Sequence, residues 1–483
     1  MSSRKSVSEP EVRSPFPFRP VSNGEFCPTP PPRAALQAEA LWRRTLEEKH
    51  RRLGMTRRQF AESACGMASA LWAINQVACG SDGGSTDMSV YDVDPGMMED
   101  EDRARVALSG TEFIFDVQTH VSDPLPAFDA GNPPDRALEF LKQIFVQSET
   151  SVACLTGVPA ARNLGAGGVD SGRTLQEILD LLAGPRLVFH ANTDPENGPS
   201  ELDYMSMVAE QYPVAAWKTY PHETASRMDS EDIGMPFIER ARSLGISVIA
   251  SHRGISGGGG YDRPGSPVDV VRAAKAVPDV RFLIYHSGWE QDTDENHAYD
   301  PENPDPVGVD RLVRALLENQ IGAAGNVYGE LGTTWYNIMS QPLQAAHVIG
   351  KLLTYLGEDR VVWGTDCVFN GVPQTQIEAF RTFQIPEAMR AEFGYPEITP
   401  SIRAKIFGLN AAQAYGIDPA LTRYAITDDD VDRLRVAYLH DPRAVPPVDP
   451  HKYEGPRTKA QYYAHLAREK WEKRLARATF GRV

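Results

Sequence analysis

Short apolar runs alternate with amphipathic windows along the middle of the chain. Segments such as TLQEILDLLA and VDRLVRALLENQ carry apolar residues at helical spacing between runs that are apolar and β-branched. Eight runs predict strands: FIFDVQ (113–118), SVACLT (151–156), RLVFHA (186–191), VAAWKT (214–219), SVIAS (247–251), RFLIY (281–285), GAAGNVYG (322–329) and RVVWGT (360–365). Repeated strand and helix units indicate a parallel sheet. Eight of them predict an α/β fold, a (β/α)8 TIM barrel.

The pattern divides the chain into five parts. The barrel is predicted over 111–418, followed by a C-terminal helical extension over 419–483. Ahead of it lie a low-complexity, proline-rich and charged leader over 1–54, a basic and weakly apolar segment over 55–80, and a linker rich in Gly, Ser and Asp over 81–110. We expect the extension to pack against the barrel or a partner subunit.

Residues 55–80, MTRRQFAESACGMASALWAINQVACG, resemble a bacterial twin-arginine export signal. Arg57, Arg58 and Phe60 precede the weakly apolar stretch, which predicts a periplasmic or exported protein. On this interpretation Met55 is an alternative start to Met1, and Cys79 is a candidate for lipid anchoring. The alternative is a cytoplasmic protein in which the segment forms a basic turn and a surface helix.

Composition and charge argue against several classes of protein. Hydrophobic residues make up 41% and charged residues 24%, as in ordinary globular proteins. The net charge of −16 argues against a nucleic-acid binder, because phosphate affinity depends on clustered Lys and Arg. The five cysteines show no C-x-x-C spacing, so neither a disulfide framework nor a structural zinc site is expected.

Chemically useful side chains stand at the predicted strand ends, which in a barrel meet at one mouth. Four of the eleven histidines are among them. In chain order the strand ends carry Gln118 and His120, His190, Lys218, His252, His286, Glu330 and Asp366. Several imidazoles converging with a carboxylate are typical of zinc, manganese or iron sites.

Five segments carry a family resemblance: DVQTH, SVIASHRG, RFLIYHSGW, VVWGTDCVF and KIFGLNAAQAYGI. Their order and spacing, over about 110–418, resemble the amidohydrolase superfamily. The branch they resemble most includes aminocarboxymuconate-semialdehyde decarboxylase and resorcylate decarboxylases. The resemblance implies one divalent metal, zinc first with manganese or iron as alternatives, bound by His120, His252 and Asp366. It also implies that His286 lies beside the metal to orient or polarise water or substrate, and that the protein is a homodimer.

Gln118 departs from the family pattern, in which this position is usually His and in some decarboxylases Glu. An amide oxygen can ligate a metal, although it suits hard cations better than metals that prefer imidazole. The alternative is that Gln118 only hydrogen-bonds a neighbour. Lys218 stands near the place of the metal-bridging lysine of other superfamily branches. We expect it to contact the substrate or support the site instead.

Three functions follow from these residues. In the first, a metal-activated water attacks an amide, lactone or ester, Asp366 accepts the proton, and His286 stabilises the oxyanion. In the second, the same site decarboxylates an aromatic or unsaturated acid, with Asp366 moving a proton to carbon. In the third, a metal-free barrel serves as an exported binding protein, an alternative that Gln118 leaves open.

Three further residues are candidates for binding the substrate. Arg253 is a candidate clamp for a carboxylate-bearing small molecule, the alternative being a salt-bridge residue. Trp289 and Glu330 are further candidates for contact with substrate, the alternative for Trp289 being ordinary loop packing. The stretch SHRGISGGGGYDRPGSP (251–267) lacks a nucleotide-binding pattern and predicts a mobile loop over the site.

Overall fold

The predicted barrel is confirmed in the computed structural model, in which eight parallel strands pair in chain order from β1 to β8. The strands are β1 (Phe115–Thr119), β2 (Val152–Leu155), β3 (Leu187–Thr193), β4 (Ala216–Thr219), β5 (Val248–His252), β6 (Arg281–Tyr285), β7 (Val327–Glu330) and β8 (Val361–Val362). The structure describes residues 12–24, 26–79, 88–127, 129, 134–159, 167–221, 226–255, 263–291, 293–420, 429–444 and 455–468. The glycine loop predicted to be mobile lies largely outside these residues.

Helices surround the strands and extend beyond the barrel at both ends of the chain. Four precede it: α1 (Arg33–Arg52), α2 (Arg57–Ala61), α3 (Ala64–Cys79) and α4 (Glu101–Leu108). Those within and after it are α5 (Asp135–Leu141), α6 (Val169–Leu182), α7 (Pro199–Gln211), α8 (Gly234–Ser243), α9 (Val268–Ala276), α10 (Gly308–Glu318), α11 (Thr334–Ile338), α12 (Pro342–Tyr355), α13 (Pro373–Thr382), α14 (Glu387–Phe393), α15 (Pro400–Ala404), α16 (Asn410–Tyr415) and α17 (Asp430–His440).

Backbone hydrogen bonds join the two ends of the sheet. The Val117 N–H donates to the Trp363 carbonyl at 3.0 Å, and the Asp366 N–H donates to the Gln118 carbonyl at 2.9 Å. The buried Asp116 carboxylate accepts the Thr365 N–H at 3.1 Å, and burial raises its pKa to about 7. These bonds bring the end of β1 beside Asp366.

The last two strands are shorter than the sequence predicts. The prediction began β7 at Gly322, but 322–326 forms a turn in which the Gly325 N–H donates to the Gly322 carbonyl at 2.8 Å. β8 ends at Val362 rather than at Thr365, and Asp366 beyond it has a positive φ of 60°.

The predicted leader and linker contain helices and packed contacts where the structure describes them. Trp42 of α1 is fully buried, and its indole N–H donates to the Gly66 carbonyl at 3.2 Å. The Asn75 amide of α3 accepts the Val90 N–H at 3.1 Å and donates to the Tyr91 carbonyl at 2.7 Å. These contacts tie 88–91 to the helices that precede it. Residues 80–87 lie outside the described part of the chain.

The segment predicted to be an export signal also packs as protein core. In α3, Ala68, Ala70 and Leu71 are buried, whereas Arg58 is exposed and pairs with Glu62 at 2.8 Å. None of the helices in the described part of the chain is long and apolar enough to cross a bilayer. Export stays a prediction, and the side chain of Cys79, the candidate for lipid anchoring, lies outside what is described.

The C-terminal extension packs at the amino ends of the strands. Arg186, which precedes β3, pairs with Asp429 at 2.9 Å and Asp432 at 2.7 Å. Arg435 of α17 donates to the backbone carbonyl of Ser148. Residues 429–444 of the extension therefore contact the barrel at the end opposite the mouth, whereas Pro456 accepts a hydrogen bond from Ser22. Helix 459–468 follows, and the rest of the predicted basic helix is not described.

Candidate active site

Four predicted residues lie buried at the mouth in two contacting pairs. His120 Nε2 lies 2.8 Å from Asp366 Oδ1, and His252 Nδ1 lies 3.2 Å from His286 Nε2. All four side chains are at most 3% exposed. His120 directly follows β1, His252 ends β5, His286 directly follows β6, and Asp366 lies after β8. The convergence expected from the strand ends therefore occurs for these four residues.

Polar contacts favour the ionised form of Asp366. Its Oδ2 accepts the Asn23 side-chain N–H at 3.0 Å and also the Thr333 hydroxyl. Asn370 in turn donates to Thr333 Oγ1 at 3.0 Å. Burial alone favours a neutral carboxyl, but the contact with His120 and the Thr333 hydroxyl overcome it and lower the pKa of Asp366 to about 2. At neutral pH this group is a carboxylate.

Hydrogen bonding determines the tautomer of His286. Its Nδ1 lies 2.7 Å from the Gly332 carbonyl oxygen, which can only accept, so Nδ1 carries the proton. Burial lowers the pKa of His286 to about 4, so the ring is neutral and Nε2 presents a lone pair. The facing His252 Nδ1 then donates, which leaves the lone pair of His252 on Nε2. A metal-ligating histidine has this arrangement, with its other ring N–H donated to an acceptor.

Glu330 is hydrogen-bonded to the backbone of the mouth residue His286 and to that of Gly332. Its carboxyl accepts the backbone N–H of His286 at 2.9 Å and that of Gly332 at 2.5 Å, and burial raises its pKa to about 8. A Cβ on Gly364 would lie 1.7 Å from Glu330 Oε1, and one on Gly332 would lie 2.3 Å from Gln118 Oε1. A side chain at Gly364 would displace the Glu330 carboxyl, and one at Gly332 would displace the Gln118 amide or the Glu330 carboxyl. Contact between Glu330 and substrate stays a prediction.

Unusual backbone conformations concentrate around the same residues. Asp366, His286, Ser287 and Thr333 are non-glycine residues with positive φ, of 60°, 66°, 52° and 53°. Such angles cost free energy and persist where surrounding contacts enforce them, often at functional sites. The backbone is thus held in a costly shape around Asp366 and His286.

Two other predicted strand-end residues lie among aromatic side chains. The Lys218 ammonium is 3.2 Å from the centroid of the Tyr285 ring and 4.9 Å from that of Tyr220, a cation–π arrangement. His190 contacts the Tyr415 hydroxyl at 2.7 Å through Nε2 and stacks on its ring. His190 is therefore a packed histidine held by α16, apart from the two pairs.

Two residues predicted to bind substrate, Arg253 and Trp289, have different surroundings. Arg253 is fully buried and its guanidinium pairs with Asp269 of α9 at 2.9 Å, which favours the salt-bridge alternative. Trp289 lines a cavity of about 670 Å³ between the N-terminal residues, the loop after β6 and the start of α12. A cavity of this volume is in the range of small-molecule sites. Binding of substrate by either residue stays a prediction.

An unsatisfied oxygen supports the predicted metal site at the mouth. Within the described residues, no three His, Cys, Asp or Glu side chains form a compact metal-binding group. The amide of Gln118 adds a donor of another type, since its buried Oε1 has no hydrogen-bond partner in the described part of the chain. An unsatisfied buried oxygen is costly, and a cation would satisfy it. His120, His252, Asp366 and Gln118 stay the residues predicted to hold a metal.

Asn23, Thr333 and Asn370 were missed by the sequence analysis. Thr333 and Asn370 lie close to predicted strand ends, in ELGTTW and DCVFN, so polar residues just beyond Glu330 and Asp366 were the available signal. Asn23 had none, because it lies in the proline-rich leader.

Comparison with known families agrees with the predicted family resemblance. The amidohydrolase family model matches residues 173–417, which is half of the chain. The chain belongs to the amidohydrolase family. The match includes His252, His286 and Asp366 but begins after β2, so Gln118 and His120 lie outside it. No curated protein matches the chain.

Solved structures with similar folds include three decarboxylases. The 5-carboxyvanillate decarboxylase of Sphingomonas paucimobilis is 14% identical and covers 64% of this chain and 100% of its own, with a TM-score of 0.37. The 2,6-dihydroxybenzoate decarboxylase of Rhizobium is 12% identical over 63% and 99%, with a TM-score of 0.39. The 5-carboxyvanillate decarboxylase of Novosphingobium aromaticivorans, which contains bound manganese, is 13% identical over 56% and 78%, with a TM-score of 0.35. These values identify neither a substrate nor a reaction for this chain.

Proposed function

We propose that this protein is a metal-dependent hydrolase that adds water to an amide, lactone or ester. The observation that carries the proposal is the buried Asp366 carboxylate, with Oδ1 facing His120 and Oδ2 accepting two donors. A carboxylate held ionised at a barrel mouth can accept a proton from attacking water. When bound, a divalent metal supplies Lewis acidity that lowers the pKa of water.

The His252–His286 pair and the His120–Asp366 pair have separate tasks in this proposal. His286, protonated on Nδ1, accepts the His252 Nδ1–H and so orients the His252 ring. Because its Nε2 presents a lone pair, His286 does not fit the predicted role of oxyanion donor in its neutral form. That lone pair is occupied by the His252 N–H, so in this proposal His286 holds the His252 ring rather than contacting water or substrate. His120 supports the Asp366 carboxylate from the other side.

Decarboxylation is the second candidate, and the protonation states favour it less. A group that protonates carbon must carry a proton, whereas the pKa of Asp366 is lowered to about 2. Glu330, whose pKa burial raises to about 8, carries one at neutral pH. However, Glu330 is engaged by the backbone N–H groups of His286 and Gly332. A binding protein without metal is the third alternative.

The reaction is tested by incubating purified protein with two substrate panels. Lactones, amides and esters are followed by acid release, and aromatic carboxylates by release of carbon dioxide. We expect acid release that is lost in the presence of a chelator and restored by added metal. Carbon dioxide release without acid release would establish decarboxylation and overturn the hydrolase proposal. The homodimer, export and a carboxylate-bearing substrate remain predictions.

We expect Gln118→His to tighten zinc binding by about tenfold, because imidazole is a stronger donor to zinc than an amide oxygen. Zinc affinity is measured by competition with a chromogenic chelator. Gln211→His, which adds a histidine at an exposed position, is the control and should leave the affinity unchanged. If Gln118→His and Gln118→Leu both bind zinc as the wild type does, Gln118 does not face the metal.

A further inference from the structure

An N-terminal arm, defined here as residues 12–24 and 26–32, packs across the barrel mouth. The Thr375 hydroxyl of α13 donates to the Pro15 carbonyl at 3.1 Å. The Val21 N–H donates to the Tyr336 hydroxyl at 3.0 Å, and the Ser22 N–H donates to the Pro456 carbonyl at 3.0 Å. These three points fix the arm to α13, to α11 and to the segment after 455.

Aromatic side chains add apolar anchors to the same arm. Phe16 and Phe18 are at most 2% exposed, and their ring centroids lie 5.3 Å apart. Phe18 also packs against Trp42 of α1, with centroids 6.4 Å apart. Fully burying a side chain of this size contributes about 1.5–3 kcal/mol. The arm is therefore docked by hydrophobic burial as well as by hydrogen bonds.

The arm brings Asn23 to the carboxylate at the centre of the site. Asn23 Nδ2 donates to Asp366 Oδ2 at 3.0 Å, and the two residues are 8% and 1% exposed. Hydrogen bonds to a buried ionised group are stronger than those between neutral groups. With Oδ2 occupied by Asn23 and Thr333, the carboxylate is oriented so that Oδ1 faces His120.

We propose that Asn23 is a positioning residue of the active site, which makes the N-terminal arm a working part of the enzyme. The inference rests on the proposed function in so far as Asp366 is the residue being positioned. Asn23 precedes the first strand of the barrel and lies outside the span matched by the family model. A chain beginning at the alternative start Met55, or one processed near residue 80, would lack Asn23 and leave the carboxylate incompletely held.

The first test measures binding of Mn²⁺ alone to the full-length protein by electron paramagnetic resonance. Asn23→Leu keeps the branching of the side chain at the γ carbon and removes its donor. We expect this variant to raise the Kd for Mn²⁺ about tenfold, as for other residues that orient metal ligands. Asn197→Ala, at an exposed asparagine, is the control and should bind as the wild type does. A Kd within twofold of wild type for Asn23→Leu overturns the proposal.

The second test does not depend on metal. A double-mutant cycle combines Asn23→Leu with Asp366→Asn and measures urea unfolding of the apoprotein. We expect the two substitutions to be coupled by about tenfold in the unfolding equilibrium constant, because each removes the same charge-assisted hydrogen bond. Additive effects within twofold overturn the proposal. If wild type binds no Mn²⁺ but the coupling is present, the hydrolase proposal fails while the positioning of Asp366 by Asn23 stands.

Discussion

Asp366→Asn is expected to lower kcat/KM by about a thousandfold or more, within the range that a general base contributes. The substitution keeps the shape of the side chain but removes the charge that His120 and the two donors on Oδ2 stabilise. The amide cannot accept a proton from water and is a weaker metal ligand than a carboxylate. Steady-state kinetics on the substrate found in the panels measures the loss.

Asp359→Asn is the matched control for this prediction. Asp359 lies shortly before β8, and its side chain is 52% exposed in a surface pair with Lys405. We expect it to retain wild-type activity and stability. If Asp366→Asn keeps activity within tenfold of wild type, Asp366 is not the base and the mechanism proposed above is wrong.

Lys351→Met is expected to destabilise the protein by about 3–5 kcal/mol, the usual cost of removing one partner from a buried ion pair. Lys351 is fully buried between two carboxylates: its ammonium contacts Glu295 and lies 2.7 Å from Asp310 Oδ1. Without it, two buried acids face each other. Since Glu295 also accepts the Val309 N–H at 2.7 Å, the loop carrying Trp289 should loosen as well. Urea unfolding monitored by circular dichroism measures the loss.

Lys405→Met removes a surface cation and is the control for Lys351→Met. Lys405 pairs with Glu358 and Asp359, which are both about half exposed, so solvent screens the charge. We expect a much smaller loss of stability. Adding Glu295→Gln and Asp310→Asn to Lys351→Met should restore part of the stability. Equal effects of the two lysine substitutions would show that the buried carboxylates do not need Lys351.

The barrel and the core of the site were predictable because both follow from short-range patterns. Apolar runs locate the strands, and a barrel places every carboxyl end at one mouth. His120, His252, His286 and Asp366 could therefore be placed near one another without knowing any contact. The tautomer of His286 was not predictable, because it depends on the Gly332 carbonyl and on a positive φ that the sequence does not reveal.

The parts before the barrel were predicted less well for a physical reason. A weakly apolar, alanine-rich helix can belong to an export signal or to a packed core helix such as α3. Local patterns do not show what covers such a helix. The contact between Asn23 and Asp366 joins residues far apart in the chain, and no periodicity predicts it. The surroundings of Arg253 were not predictable, because it follows His252 directly and neighbours along a strand point to opposite faces.

The metal content of the purified protein tests the central claim most directly. Elemental analysis of wild type, His252→Ala and Asp366→Ala, with Asp359→Asn as control, distinguishes a metal site from adventitious binding. We predict about one equivalent of a divalent metal in wild type and in the control, and its loss in both alanine variants. Wild-type protein that holds no metal, and gains none when the cation is added, would contradict the proposal of a metal-dependent hydrolase.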